Sequence, residues 1–147
     1  MKELAVISTL GKITSARLET FGHKDEDWRN QVESKEALIL DFDSGWKAVF
    51  VDHCGYSCCE ERYMKTDDDL ESIIGDHVVS FEILATEYKD EDYGDLEVSF
   101  LHLKTTSDVI VVGTYNSHNG YYGGLDLRMM LFAPNGACVF TTEALPD

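Results

Sequence analysis

At 147 residues, with 28 acidic against 12 basic side chains and a net charge of −16, the chain is sized for one domain and is far more negative than the roughly 2 to 8 charges that keep a small domain soluble. Such a surface repels nucleic acid and anionic lipid and attracts basic surfaces, which excludes direct nucleic-acid or membrane binding and points to a basic partner protein. A content of 44% apolar and 11% aromatic residues with only two prolines excludes a disordered polyanion.

The stretch from Met1 to Leu10 lacks a basic leader and a small-residue cleavage site, and no run approaches about 18 apolar residues. A cytoplasmic protein with free thiols is therefore expected. Period-two alternation predicts strands over Leu4 to Leu10 and Lys12 to Thr20. Asp25, Glu26, Asp27 and Trp28 read as a polar loop with room for a short helix through Ser34. The clearest hairpin runs from Ala37 to Phe42, turns at Asp43, Ser44 and Gly45, and returns from Trp46 to Val51; Leu38, Leu40 and Phe42 share one face. Thr66 followed by Asp69 resembles a capping box. With Leu70, Ile73 and Ile74 on one face and Gly75 as terminator, it predicts a helix of two to three turns.

Beyond it, His77 to Tyr88 reads as a strand and Lys89 to Asp95 as a polar loop. Leu96 to Lys104 and Val109 to Tyr115 pair through Thr105 to Asp108, and Leu127 to Phe132 and Ala137 to Thr142 pair through Pro134, Asn135 and Gly136. The expectation is one α+β domain spanning 1–147, with strand-dominated antiparallel sheets and one short packed helix. Oligomeric state stays open: Met129, Met130, Leu131 and Phe132 suit either a homodimer contact or the core.

Three segments have chemical potential. His53, Cys54, Cys58 and Cys59 include zinc-ligand types, but no second ligand pair follows, since Cys138 stands alone and the other histidines are scattered. The simpler reading makes Cys58 and Cys59 small buried residues, with Glu60 and Glu61 facing water, and no metal is expected. In the second segment, Asn116, Ser117, His118, Asn119, Gly120, Tyr121, Tyr122, Gly123 and Gly124 form a glycine-rich turn whose tyrosines offer flat faces to a ligand or partner. It is no phosphate loop, having neither a Walker pattern nor a basic residue. The third is a set of carboxylate clusters, Asp25 to Asp27, Asp67 to Asp69 with Glu71, and Asp90, Glu91, Asp92, Asp95 and Glu97, none of which keeps an EF-hand register; spaced along one face they would present carboxylates to a basic surface. His118 is the best acid/base candidate, yet no nucleophile elbow or oxyanion motif frames it, so neither catalysis nor a cofactor is expected.

Two stretches in combination, Cys58-Cys59-Glu60 running into Asp69 to Gly75, and Tyr115 to Gly123 with its Asn-Gly-Tyr-Tyr step, resemble small domains found largely in bacteriophages and prophages. The similarity spans roughly Leu38 to Leu125 and leaves the acidic insertion at Lys89 to Asp95 unexplained. Those domains have no agreed activity, so the resemblance implies fold relatives and action in the bacterial host cytoplasm. The resulting expectation is a non-catalytic phage-type accessory protein that binds and inhibits a host protein, such as an antiphage-defence or nucleic-acid-binding component. The binding residues would be Asn116, His118, Asn119, Tyr121, Tyr122, Asp90, Glu91, Asp92 and Asp95. The alternatives are a small-molecule or nucleotide-signal binder using Asn116 to Gly124, with Arg62, Lys104 and Arg128 to meet an anion, and a structural virion or assembly protein.

Overall fold

The computed structural model describes residues 7–24, 32–55, 60–91, 94–118 and 124–142. Ten strands over these residues form two antiparallel sheets. The first orders β1 (Ile13–His23), β2 (Val32–Phe42), β3 (Lys47–Asp52), β9 (Leu127–Phe132) and β10 (Cys138–Thr141) as β1-β2-β3-β9-β10. The second orders β4 (Glu61–Lys65), β8 (Val109–His118), β7 (Gly94–Thr105) and β5 (Val78–Ile83) as β4-β8-β7-β5. β6 (Glu87–Glu91) pairs with the first half of β7, on the side that β5 takes along the second half.

The sheets share one core. Leu38, Leu40, Ala48, Phe50, Met129 and Leu131 of the first meet Phe81, Leu101, Leu103, Ile110 and Val112 of the second, all buried. The first sheet also buries its other face, through Ala37, Ile39, Val49, Val51, Met130 and Phe132. A strand buried on both faces reads as a continuous apolar run rather than an alternation, which is why Met129 to Phe132 needs no partner subunit to account for it. The Asp43 to Gly45 turn closes as expected, with Gly45 at φ +90° and Phe42 N–H donating to the Trp46 carbonyl at 3.0 Å.

The expected α+β class is overturned: among the described residues the fold is all-β, and the predicted helix is a single 3-10 turn over Leu70–Ile73. Its neighbours are drawn into the sheets. Thr66 Oγ1 donates to the Val111 carbonyl at 2.7 Å, and Asp68 Oδ2 accepts from Val111 N at the same distance, so neither residue caps a helix. Asp69 caps instead, accepting from Glu71 N. Ile74 is already extended, and Gly75, at φ +94°, donates to the Ile13 carbonyl at 2.7 Å. Of the three apolar residues assigned to the helix, Ile73 is buried and Ile74 is 47% exposed.

Other boundaries also move. Of the strand expected over Leu4 to Leu10, residues 4–6 lie outside the described residues, and residues 7–10 run from a helical end at 7–8 into a turn; Val32 to Ser34 open β2 instead of closing a helix. The strand over His77 to Tyr88 divides into β5 and β6. The acidic stretch read as a loop pairs Lys89 with Leu96 and Asp90 with Asp95, because the free edge of a long β7 needs hydrogen-bond partners and solvated charges suit such an edge.

Phe50 meets Phe81 of the opposite sheet edge-on, with ring centroids 5.4 Å apart. Phe50→Ala is expected to cost roughly 3–5 kcal/mol of unfolding free energy, and Val139→Ala, at an exposed β10 position, less than about 0.5 kcal/mol. Urea denaturation of both variants checks the contrast.

Candidate functional site

At the end of the sandwich where β3 and β8 finish and β4, β7 and β9 begin, the inward faces change from apolar to charged. Asp52 continues the face of Ala48 and Phe50, Arg62 that of Met64, and Asn116 that of Ile110 and Val112. The Arg62 side chain is 3% exposed. Its Nη1 lies 2.6 Å from Asp52 Oδ2, and its Nη2 lies 2.6 Å from Glu60 Oε2. Asn116 Nδ2 donates to the same Glu60 oxygen at 2.7 Å. Glu60, expected to face water, is thus buried and paired.

These pairs hold backbone. Arg62 Nη1 also donates to the Gly124 carbonyl at 2.9 Å. Gly124 N–H in turn donates to the Glu97 carboxylate, at 2.9 and 3.1 Å to its two oxygens. Glu97 Oε1 meets His118 Nε2 at 2.7 Å. His118 ends β8 and Gly124 stands three residues before β9, so one carboxylate holds the described residues on both sides of 119–123. Gly124 sits at φ +100°, and a Cβ there would stand 3.4 Å from Cys54 Sγ, which suits glycine on both counts. Asp52 acts in the same way: its Oδ1 accepts from Cys54 N at 2.9 Å and Asp126 N at 3.0 Å, tying two further connections together.

Burial works against the Arg62 charge, but Asp52 and Glu60 outweigh it and hold its pKa above the ordinary value. Lys35, buried with its ammonium donating to the Cys54 carbonyl, has its pKa lowered by burial, with Asp52 opposing the shift. Burial also lowers the pKa of His53, and it pushes the Cys54 thiol up to about 11, with Asp52 adding to the effect. Cys54 is therefore a poor nucleophile at neutral pH. No group of three or more potential metal-ligating side chains occurs among the described residues.

The predicted binding residues divide. Asn116 and His118 point inward and are held by Glu60 and Glu97. Asp90 stands across from Asp95, and Asp95 across from His118, so the acidic hairpin and the neck of the tyrosine segment share one row over three strands. Glu91 faces Gly94 in the same ladder. Asp92, Asn119, Tyr121 and Tyr122 lie outside the described residues, as do Cys58 and Cys59. Of the cations suggested for an anionic ligand, Arg62 is enclosed and Arg128 pairs with Asp126 at 2.7 Å. Sequence reasoning missed Asp52, and it named Glu97 only within an acidic run and Gly124 only within the glycine-rich turn.

A family model described as a domain of unknown function (DUF7448) matches residues 8–127, a span that takes in every member of this network. No curated protein and no solved structure matches the chain.

Asp52→Asn leaves Arg62 short of one buried counter-charge and is expected to cost roughly 3–5 kcal/mol, whereas Asp67→Asn, at an exposed position, should stay within about 0.5 kcal/mol. Chemical denaturation compares them. The raised Cys54 pKa makes a separate prediction. Folding favours the protonated thiol, so this contribution is complete below pH 9.0 and is lost as the pH rises through about 11. Cys54→Ser should flatten that alkaline decline in stability, and peptide-mapped alkylation at neutral pH should find Cys54 the slower to react in the native state than after unfolding.

Proposed function

The chain belongs to the DUF7448 family, and we propose that it is a non-catalytic acidic binding protein that meets a basic protein surface with the end of the sandwich bearing the 119–123 segment. The observation that carries this reading is the row Asp90, Asp95 and His118 across β6, β7 and β8. It sets the acidic hairpin beside a neck that is already fixed by Glu97 and Arg62. Two properties of that juxtaposition favour binding. A concentration of carboxylates steers a basic partner by charge, and a segment whose flanking residues are fixed gives up less conformational freedom when it docks. The groups that would be asked to do chemistry are otherwise committed: His118 and Glu97 to each other, and Arg62 to two carboxylates.

In its finer form the partner is a bacterial host protein, a defence or nucleic-acid-handling component, and binding inhibits it. The net charge of −16 and the resemblance to phage and prophage domains support that form. The small-ligand alternative is weaker, since Asn116 and His118 are turned into the fold and leave the tyrosines to hold a ligand by themselves.

Purified protein used as bait in a bacterial lysate should retain a basic partner at about 50 mM salt and release it at about 500 mM, because exposed charge pairs are screened over a Debye length of about 8 Å already at 0.15 M. An Asp90→Asn, Asp95→Asn double variant should lose that partner, and an Asp67→Asn, Glu71→Gln variant, altered at the far end of the molecule, should keep it. Retention at high salt, or equal loss in both variants, contradicts the assignment.

A further inference from the structure

We infer that the outer face of the second sheet, opposite the face that carries the buried network, has a site for a linear polyamine over Val111, beside Tyr115 and Phe100. The register places Tyr63 directly across from Tyr115, and Lys65 and Phe100 on either side of Gly113. Tyr63 and Tyr115 stack with centroids 5.0 Å apart and an interplanar angle of 11°, while Phe100 stands edge-on to Tyr115 at 6.5 Å and 83°. Gly113 makes this possible: a Cβ there would lie 2.6–2.8 Å from the Tyr115 ring and hydroxyl, so the ring can lie over its own strand only while that position is glycine. The result is an open pocket of about 320 Å³ with Gly113 and Val111 beneath it.

Its charge selects the ligand. Asp67 and Asp68 stand at the rim against one ammonium, Lys65. Asp68 is fixed there by accepting from Val111 N at 2.7 Å. Further along the same end lie the exposed Asp69, Glu71 and Asp108. Phe100 and Tyr115, at nearly a right angle, wall the pocket on one side, and electron-rich rings beside it favour a cation. In a molecule of net charge −16, a nucleotide or other anion is repelled, and a neutral aromatic leaves the carboxylates unused. An extended chain of methylenes and ammoniums satisfies both parts: its methylenes cover Val111 and the ring faces, and its successive charges follow the carboxylates. Lys65 repels the ammonium and directs it toward Asp67.

Spermidine titrated into the uniformly ¹⁵N-labelled protein, against magnesium chloride at matched ionic strength, tests the site. Saturable shifts are expected at the amides of Phe100, Val111, Gly113 and Tyr115, with magnesium unable to reproduce them. Phe100→Leu and Asp67→Asn should each weaken spermidine binding by roughly tenfold. Gly113→Ala, which forces the Tyr115 ring aside, should abolish the shifts while thermal unfolding stays cooperative. Asp90→Asn with Asp95→Asn should leave spermidine binding unchanged, which separates this site from the proposed partner surface. No saturable shift, or shifts spread over every acidic run and reproduced by magnesium, would overturn the inference.

Discussion

The guanidinium of Arg62 is the interaction on which one whole end of the molecule depends. It reaches Asp52 from the first sheet, Glu60 from just before its own strand and the carbonyl of Gly124, which leads into β9. Removing three charges from water costs several kcal/mol per ion, and such clusters seldom repay that cost against a well-packed apolar alternative. Net stability comes from the apolar core between the sheets. What the cluster adds is direction, since a planar fork with two carboxylates and a carbonyl tolerates little sliding of one sheet over the other. Leucines at the same positions would fill the space and specify the alignment less sharply.

The two ends of the sandwich use carboxylates in different ways. At the network end Asp52 and Glu60 face a cation, and Glu97 holds backbone and His118 together. At the other end the acceptors serve turns: Asp43 Oδ1 takes Lys12 N at 3.1 Å, Asp68 takes Val111 N, and Asp76 Oδ2 takes the Thr105 and Ser107 hydroxyls. The Asp76 carboxyl is accordingly held below its ordinary pKa by hydrogen bonds from Ser107 and Thr105. Part of the acidity is therefore local hydrogen-bond chemistry at strand ends, where backbone N–H groups have no ladder partner. The charge of the Asp90 to Asp95 hairpin is a separate matter, since pairing through the backbone accounts for its strand but not for its charge.

Much of the sheet structure was legible because alternation and turn chemistry agreed. Leu38, Leu40 and Phe42 do share an inward face, and Leu127 to Phe132 is bounded as expected. Two errors had one origin. Capping signals around Thr66 to Gly75 and acidic polarity around Lys89 to Asp95 were weighed locally, while the outcome was set by unpaired edges, Val111 of β8 in one case and the first half of β7 in the other. Local preference loses when a neighbouring strand offers backbone hydrogen bonds. The short β4 escaped notice because Glu61 to Lys65 has only Met64 on its inner face to mark it beside Arg62.

The buried network was partly legible through a rule that went unused. Glu97 falls in step with Leu101 and Leu103, Asn116 with Ile110 and Val112, and Asp52 with Ala48 and Phe50. A polar residue that extends an inward face toward a strand end must find a partner or pay for its desolvation, so several such residues on neighbouring strands imply one another. The missing information was adjacency: 62 residues separate Arg62 from Gly124, and only the pairing of β4 with β8 brings the end of one beside the exit of the other. Once that pairing is known, the Asn-Gly-Tyr-Tyr segment ceases to be an isolated turn. The residues on either side of it, His118 and Gly124, are held by a carboxylate and a guanidinium that are themselves held. Fixed flanking residues lower the ordering cost of any docking through the connection between them, which ties the most deeply buried charges of the fold to the surface proposed for binding.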